Sequence, residues 1–216
     1  MDFFEVISKR RSIRRFQDRA VPPEMILRAF DAAILAPNSS NTQTWDFYWV
    51  QSSEIKSKLV QACFSQSAAR TAQELIVVTA NHRRWKRSQA SLIQWALESK
   101  APKGVVLYYE RLIPFTYRAG FLNIFAPFKW IFAELAGLFR PVPRGPLTKR
   151  DLQEVAIKSA ALACENLVLA LTAQGLASCM MEGFDERRVR RLLKLSCSDR
   201  VVMVIGKKKK KEGQGT

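Results

Sequence analysis

The sequence contains one histidine, His82, among 216 residues, and this scarcity limits the chemistry that side chains can perform. Without that residue, neither a Ser-His-Asp triad nor a His/Cys zinc site can be assembled. Its surroundings, residues 81–84, are polar or basic and predict a solvated turn. Hydrolase and zinc-enzyme functions are therefore disfavoured. If the chain is an enzyme, we expect an external cofactor to carry the reaction.

Features of a secreted protein are also missing. The N-terminus carries Asp2 and Glu5 where a signal peptide would be basic, and no long apolar run follows them. The four cysteines lie far apart in the sequence and form no CxxC pair. We therefore expect a cytoplasmic protein with reduced, mostly buried thiols. These cysteines are Cys63, Cys164, Cys179 and Cys197.

Acidic residues are few relative to basic ones. Lys and Arg number 35 against 19 Asp and Glu, which gives a net charge of +16 and a pI near 10.1. The basic residues cluster at 9–15, 82–87, 187–191 and 207–211. Such a surplus favours anionic partners such as phosphates, nucleotides, nucleic acid or a membrane surface. A basic protein that binds nucleic acid or membranes is therefore one hypothesis, although no nucleic-acid-binding motif is recognisable.

The length and the hydrophobic content of 48% suit one main domain, residues 1–206, followed by a basic tail, residues 207–216. Short apolar runs predict strands at 47–50, 75–79, 177–181 and 201–205. Asp2 and Asp185 are predicted helix N-caps, and Gly175 a C-terminal cap. Helical spacing predicts helices at about 3–9, 23–34, 53–64, 84–99 and 186–195, and a longest helix that begins at Thr148 or Asp151 and runs to about 174. Because strands and helices do not alternate regularly, the pattern favours an α+β fold.

Residues 112–139 contain an unusual concentration of aromatic side chains. A spanning helix needs about 20 predominantly apolar residues, and here charged residues and a proline interrupt the run. The segment predicts one or two amphipathic helices within a variable helical insertion at about 84–146. We expect it to be buried against the core or against a dimer partner. An active-site lid and a helix on a membrane surface are the alternatives.

Three separated segments carry a resemblance. Residues 10–16 read RRSIRRF, residues 36–45 read APNSSNTQTW, and residues 181–185 read MEGFD. Between the second and third lies an alanine-rich stretch, residues 160–175, that closes with glycine. In this order and spacing they resemble the nitroreductase family, whose members bind FMN and whose motifs include R-R-S-x-R-x-F and A-P-S-x-x-N-x-Q-P-W.

The resemblance implies a fold and an activity. The implied fold is α+β, with a central mixed or antiparallel sheet flanked by helices, in an intertwined homodimer with shared active sites. The implied activity is transfer of a hydride from NADH or NADPH to N5 of FMN. Electrons then pass to a small electron-poor acceptor, such as a nitro compound or a quinone, in a ping-pong sequence. A specialised flavin redox reaction on the same fold is the alternative.

The phosphate of FMN requires cations and hydrogen-bond donors. Guanidinium groups suit it because two N–H groups can meet two phosphate oxygens. The resemblance implies a phosphate cradle made of Arg10, Ser12 and Arg14, with Arg11 near the isoalloxazine ring or the ribityl chain. Relatives add a cation after the last strand, and we expect Lys207 or Lys209 to take that role.

The resemblance assigns the rest of FMN to two other segments. The turn at Glu182 and Gly183 is expected to present backbone N–H groups to N5 and the neighbouring carbonyl of the ring. Ser65 or Gln66 is a weaker candidate at the pyrimidine edge. A polar loop is expected to reach the flavin held mainly by the other subunit. Its residues are Pro37, Asn38, Ser39, Asn41 and Gln43, of which Gln43 holds the loop or touches the cofactor.

Overall fold

The computed structural model describes residues 1–16, 21–118 and 123–209. Helices and strands follow one another without regular alternation, which confirms the predicted α+β class. The helices are α1 (Phe3–Lys9), α2 (Pro23–Ile34), α3 (Ser53–Ala62), α4 (Ser67–Thr71), α5 (Trp85–Glu98), α6 (Lys103–Leu107), α7 (Ile113–Tyr117), α8 (Ala126–Gly137), α9 (Lys149–Ala173) and α10 (Glu186–Leu192). The strands are β1 (Trp45–Val50), β2 (Glu74–Ala80), β3 (Leu176–Met181) and β4 (Arg200–Lys209).

The chain divides into two compact units. The sheet unit comprises Met1–Pro37, Trp45–Ala80 and Ala160–Thr216. The helical unit comprises Asn38–Thr44 and Asn81–Ser159.

The sheet unit contains a four-stranded antiparallel sheet of order β1-β2-β4-β3. β2 and β4 are central, and their paired residues Val77 and Val204 are completely buried. On one face α3, α4 and α10 supply small and apolar side chains to the core. On the other face Phe30 of α2 lies 5.4 Å from the ring of Phe47. Packing on both faces fixes the strand register, because a slip of one residue would move every side chain to the opposite face and into contacts shaped for a different residue.

Local signals set several helix ends. The Asp2 carboxylate accepts a hydrogen bond of 3.0 Å from the backbone N–H of Glu5, and Asp185 caps α10 in the same way. Gly175 adopts a φ of +75° after α9, a conformation that costs glycine little. These three predicted caps are confirmed. β4 continues through Lys209, so residues 207–209 lie in the sheet and not in a tail.

The helical unit has its own core, in which Trp85, Ile113, Tyr117 and Leu152 are buried together. Beside it His82 is only 8% exposed, and its Nδ1 lies 2.9 Å from the side-chain oxygen of Gln153. Burial lowers the pKa of His82, and the hydrogen bond to Gln153 opposes that shift. The predicted solvated turn is therefore wrong at its histidine, which is a partnered interior residue.

The aromatic segment forms two helices, α7 and α8, as predicted, with residues 119–122 outside the described part. Its expected burial against the chain's own core is wrong for most of its large side chains. Phe128 is 68% exposed, and Phe139 is 89% exposed. Burial against a dimer partner stays a prediction.

One helix among the described residues, α9, is long and apolar enough to cross a membrane. Half of its most apolar window is buried inside the fold. The core helix of a water-soluble protein has the same length and composition, so α9 is weak support for a membrane span. Its buried residues Leu167, Val168 and Leu171 are completely inaccessible to water.

A glycine in β4 allows α4 to approach the sheet closely. A Cβ on Gly206 would lie 3.0 Å from the carbonyl oxygen of Ala68 and 3.2 Å from Cβ of Ala72. We expect Gly206→Ala to lower the free energy of unfolding by about 1–3 kcal/mol, since backbone must shift to admit the methyl group. Urea denaturation measures the loss. Gly104→Ala is the control, because a Cβ there meets nothing within 4 Å; a similar loss in that variant would contradict the explanation.

Candidate functional site

The N-terminal basic motif runs along the free edge of β3. Ser12 forms a parallel bridge with Ser178, and the backbone N–H of Ile13 donates to the carbonyl of Ser178 at 3.0 Å. The hydroxyl of Ser67 in α4 donates to the carbonyl of Arg14 at 2.7 Å. These bonds fix the backbone of the motif, while the side chains of Arg11, Ser12 and Arg14 remain exposed. The motif is therefore held in place with its polar groups accessible to a ligand.

Lys207 lies in β4, directly opposite Ser178 of β3 and Glu74 of β2. Its side chain is completely buried, and among the described residues its Nζ has no hydrogen-bond partner. Burial lowers its pKa to about 8, and the nearby Glu74 opposes that shift. The Glu74 carboxylate itself accepts a hydrogen bond of 2.6 Å from the indole N–H of Trp49. A buried ammonium without a partner is costly, and an anion beside it would offset that cost.

Arg10 and Arg14 of the basic motif affect the pKa of a cysteine in β3, Cys179. Burial raises the pKa of the Cys179 thiol, and the charges of Arg14 and Arg10 oppose that rise. The Arg10 guanidinium lies 3.7 Å from a carboxylate oxygen of Glu165, a loose and partly exposed pair. Arg11 instead lines a cleft of about 230 Å³ together with Ser178. Positive charge is thus concentrated around the middle of β3.

The turn after β3 is fastened by a side chain from another element. The Gln66 amide donates to the carbonyl of Gly183 at 2.8 Å, and the N–H of Asp185 donates to the carbonyl of Ala62 at 2.8 Å. Glu182 and Gly183 are exposed. A Cβ on Gly183 would lie 3.6 Å from the Gln66 amide nitrogen, an ordinary contact. The fold itself therefore tolerates a side chain at this glycine.

The polar loop belongs to the helical unit and is braced by one of its own residues. Ser40, Asn41 and Gln43 have φ values of 55°, 51° and 45°, in the left-handed region that few residues favour. The side-chain oxygen of Asn38 accepts from the N–H of Gln43 at 2.9 Å, and its amide donates to the Asn41 side chain at 3.3 Å. The Asn38 side chain thus stabilises the loop.

Helix α5 supports the same loop. Ser88 donates to the carbonyl of Thr42 at 2.9 Å, and Arg87 donates to the carbonyl of Gln43 at 3.1 Å. A cleft of about 470 Å³ opens beside these contacts. It is lined by Asn41, Gln43, Arg87, Ser88, Ser91, Leu92, Trp95 and Tyr109. The backbone N–H and carbonyl of Gln43 take part in two of the bonds that hold the loop, and the role of its side chain stays a prediction.

The predicted site residues therefore fall into two groups. The sheet unit brings together the basic motif and Lys207 around Ser178, and it carries Pro37 and the turn at 182–183. The helical unit carries the loop residues Asn38, Ser39, Asn41 and Gln43. Ser178, Glu74 and Trp95 were not predicted as site residues. They come from two strands and a helix that are distant in sequence, and no local sequence pattern indicates that they lie near the predicted site residues.

A basic loop fixed to a strand edge, next to a buried lysine with no hydrogen-bond partner among the described residues, forms a cationic site on an α+β fold. The chain belongs to the nitroreductase family, whose sequence model matches residues 7–207. This match confirms the resemblance seen in the three motifs.

Individual relatives match over most of their length. DrgA of Synechocystis sp. is 29% identical over 211 residues, which cover 96% of this chain and 85% of that protein. A structure from Staphylococcus epidermidis, assigned as an NAD(P)H:FMN oxidoreductase, has a TM-score of 0.78 at 19% identity and covers 100% of this chain and 90% of that one. A structure from Exiguobacterium sibiricum, assigned as a nitroreductase and holding FMN, has a TM-score of 0.71 at 22% identity and covers 97% and 88%. At these identities the structural matches show the shared fold.

Proposed function

We propose that this protein is an FMN-dependent oxidoreductase that takes electrons from NADH or NADPH and passes them to a small electron-poor acceptor. The observation that carries the proposal is Lys207, a completely buried lysine whose Nζ has no hydrogen-bond partner among the described residues. It lies opposite Ser178, which is bridged to Ser12 of the basic motif. Family membership supports an oxidoreductase, and the FMN held by the Exiguobacterium sibiricum relative supports this cofactor.

The residues around Ser178 fit a phosphate group. Arg10 and Arg14 offer planar donors, Ser12 offers a hydroxyl group, and Lys207 offers a point charge. A phosphate dianion would relieve the burial cost of the lysine, because it supplies the missing counter-charge. These four residues would hold the phosphate end of FMN.

Bound FMN supplies hydride acceptance and hydride donation at its N5 position. The turn at Glu182 and Gly183 would face the ring with backbone N–H groups, which stabilise negative charge without having to reorganise. Gln66 fixes this turn through the carbonyl of Gly183. The chain's own residues therefore bind, orient and polarise the cofactor.

The thiols of Cys63 and Cys164 and the imidazole of His82 are poorly suited to act as nucleophile or base. Burial raises the pKa of Cys63 to about 11, and burial together with Glu165 raises that of Cys164 to about 12. Both thiols are therefore protonated near neutral pH and are weak nucleophiles. His82 is buried and bonded to Gln153. This inventory supports a reaction centred on a cofactor.

We further propose a homodimer in which the loop at 38–43 completes the flavin site of the partner subunit. The loop is rigidly braced, and it borders a cleft of about 470 Å³ that contains Trp95 and Tyr109. Apolar rings and convergent polar groups suit a flat aromatic ligand. A cytoplasmic location stays a prediction.

Steady-state oxidation of NADH and NADPH tests the function. With FMN present, we expect either nucleotide to be consumed faster when a nitroaromatic compound or a quinone is added. Double-reciprocal plots should be parallel, since both substrates would use one pocket in turn. The net charge of +16 favours NADPH. Failure of both nucleotides with every acceptor, in protein shown to contain FMN, would contradict the proposed electron transfer.

A further inference from the structure

Helix α8 presents an apolar surface that nothing in the described chain covers. We call it the aromatic face. Its main members are Phe125 (48% exposed), Phe128 (68%), Ile131 (49%), Phe132 (61%) and Leu135 (59%), which share one side of the helix, and Trp130 (54%) lies on the other exposed flank. Contiguous exposed apolar patches of this kind are found at binding sites more often than on the rest of a protein surface.

Helix α8 differs from an ordinary surface helix, because its charged side chains face its own unit and its large apolar side chains face outward. Its lysine, Lys129, is 7% exposed and donates to the carbonyl of Thr116 at 2.8 Å. The same ammonium lies 5.4 Å from the centre of the Phe115 ring. The helix's acid, Glu134, accepts from Arg144 at 3.2 Å. Both charged residues of α8 are thus engaged with their own unit, while its large apolar side chains face outward.

A wide groove continues the aromatic face toward α7. Its volume is about 900 Å³, and its walls are mainly apolar. The apolar residues lining it are Leu112, Pro114, Phe115, Phe125, Phe128 and Phe132. The charged residues lining it are the cations Arg111, Arg118 and Lys129 and one acid, Glu110, so cations are in excess. The groove therefore combines apolar walls with cations, as a lipid with an anionic headgroup would require.

The charges around the aromatic face are mainly positive. Residues 100–150 contain nine Lys or Arg against two Glu. The exposed cations in this stretch are Lys100, Lys103, Arg111, Arg118, Arg140, Arg144 and Arg150. Two copies of this face in contact would bring like charges together, which is unfavourable. An anionic lipid surface is complementary both to the cations and to the apolar side chains.

We propose that the aromatic face docks on an anionic lipid bilayer as a peripheral contact, with α8 lying in the plane of the interface. Phe and Trp side chains enter the boundary between headgroups and acyl chains, where aromatic rings are favoured. The surrounding arginines contact the anionic headgroups, to which they are attracted electrostatically. This contact does not depend on the proposed redox function.

Co-sedimentation with vesicles tests the proposal. We expect the full-length protein to bind vesicles of phosphatidylcholine with phosphatidylglycerol, and to bind pure phosphatidylcholine much less. The combined variant Phe128→Ser, Trp130→Ser and Phe132→Ser should bind the anionic vesicles at least about tenfold more weakly, a loss of about 1.4 kcal/mol or more. Phe4→Ser is the matched control, because Phe4 is 80% exposed on α1.

Further measurements separate the possible outcomes. Circular dichroism and the melting temperature establish that the combined variant is folded. Lipids carrying a quencher should reduce tryptophan emission in the wild type, and Trp130→Phe should remove most of that reduction. Equal vesicle binding by the combined variant and the wild type would overturn the proposal. A concentration-dependent dimer that the combined variant abolishes, with no binding to anionic vesicles, would also overturn it and assign the face to a second copy.

Discussion

Replacing Lys207 by Met is expected to stabilise the cofactor-free protein and, at the same time, to weaken FMN binding. Burial lowers the pKa of Lys207 from 10.5 to about 8, so a buried charge opposes folding at neutral pH. A pKa difference of this size corresponds to about 3 kcal/mol as an upper bound. Methionine fills a similar volume without a charge, and we expect the free energy of unfolding to rise by about 1–3 kcal/mol.

The same substitution should raise the dissociation constant of FMN by about tenfold to a thousandfold. It removes a charge-assisted contact to phosphate, which contributes about 1.5–3 kcal/mol or more when buried. Urea denaturation of the cofactor-free protein and fluorescence titration with FMN measure the two effects. Lys58→Met is the control, since Lys58 is exposed and paired with Glu54. A Lys207→Met protein that is less stable and binds FMN normally would contradict the assignment.

The pH dependence follows from the direction of the pKa shift. Between pH 8 and 10.5 the unfolded chain binds more protons at Lys207 than the folded chain. The stability of the cofactor-free protein should therefore gain a contribution as pH rises through this window. FMN affinity should change in the opposite direction, because a neutral amine no longer attracts the phosphate. Both contributions should be missing in Lys207→Met.

A heterodimer of two inactive variants is expected to recover activity. One parent carries Arg10→Ala with Arg14→Ala in the phosphate cradle, and the other carries Asn38→Ala in the loop. If each site takes its cradle from one subunit and its loop from the other, one of the two sites in the heterodimer contains neither defect. The heterodimer should then have about half of the wild-type activity, while each parent dimer has little.

Co-expression with two different affinity tags supplies the heterodimer for this comparison. The substituted arginines are at the surface or partly exposed, so the cradle variant should fold. Asn38→Ala removes the bond to the Gln43 N–H that holds a loop with three left-handed residues. If each site were built within one chain, both sites of the heterodimer would be defective. Activity as low as in the parents would therefore contradict shared sites.

Local signals in the sequence were sufficient for most of the secondary structure. Asp2 and Asp185 cap helices as predicted, because a short acidic side chain just before a helical pattern can accept hydrogen bonds from the N–H groups of the first turn. The strands also lie where apolar runs predicted them, although β4 extends four residues beyond its predicted end at 205. Residues 207–211 are all lysines, and such a run by itself predicts a solvated tail. In the structure the first of them belong to β4 because they pair with neighbouring strands.

The environment of single side chains could not be predicted. Lys207 was a candidate ligand, but its complete burial depends on strands more than 25 residues away in sequence. His82 was predicted to be solvated because its neighbours are basic, yet it is buried and forms a hydrogen bond with the side chain of Gln153. The exposure of Phe128 was missed for the opposite reason: apolar composition predicts burial, and only the fold shows which side of α8 has no partner.

The proposed FMN site is tested most directly by equilibrium binding of FMN to the purified protein. After free cofactor is removed, the visible absorbance of the flavin that stays with the protein is measured. Our account predicts that FMN binds at one site per chain and stays with the protein. It also predicts that riboflavin, which lacks the phosphate, binds much more weakly, because the cradle and Lys207 recognise the phosphate. A protein that takes up neither compound, or that binds both equally well, would contradict the account.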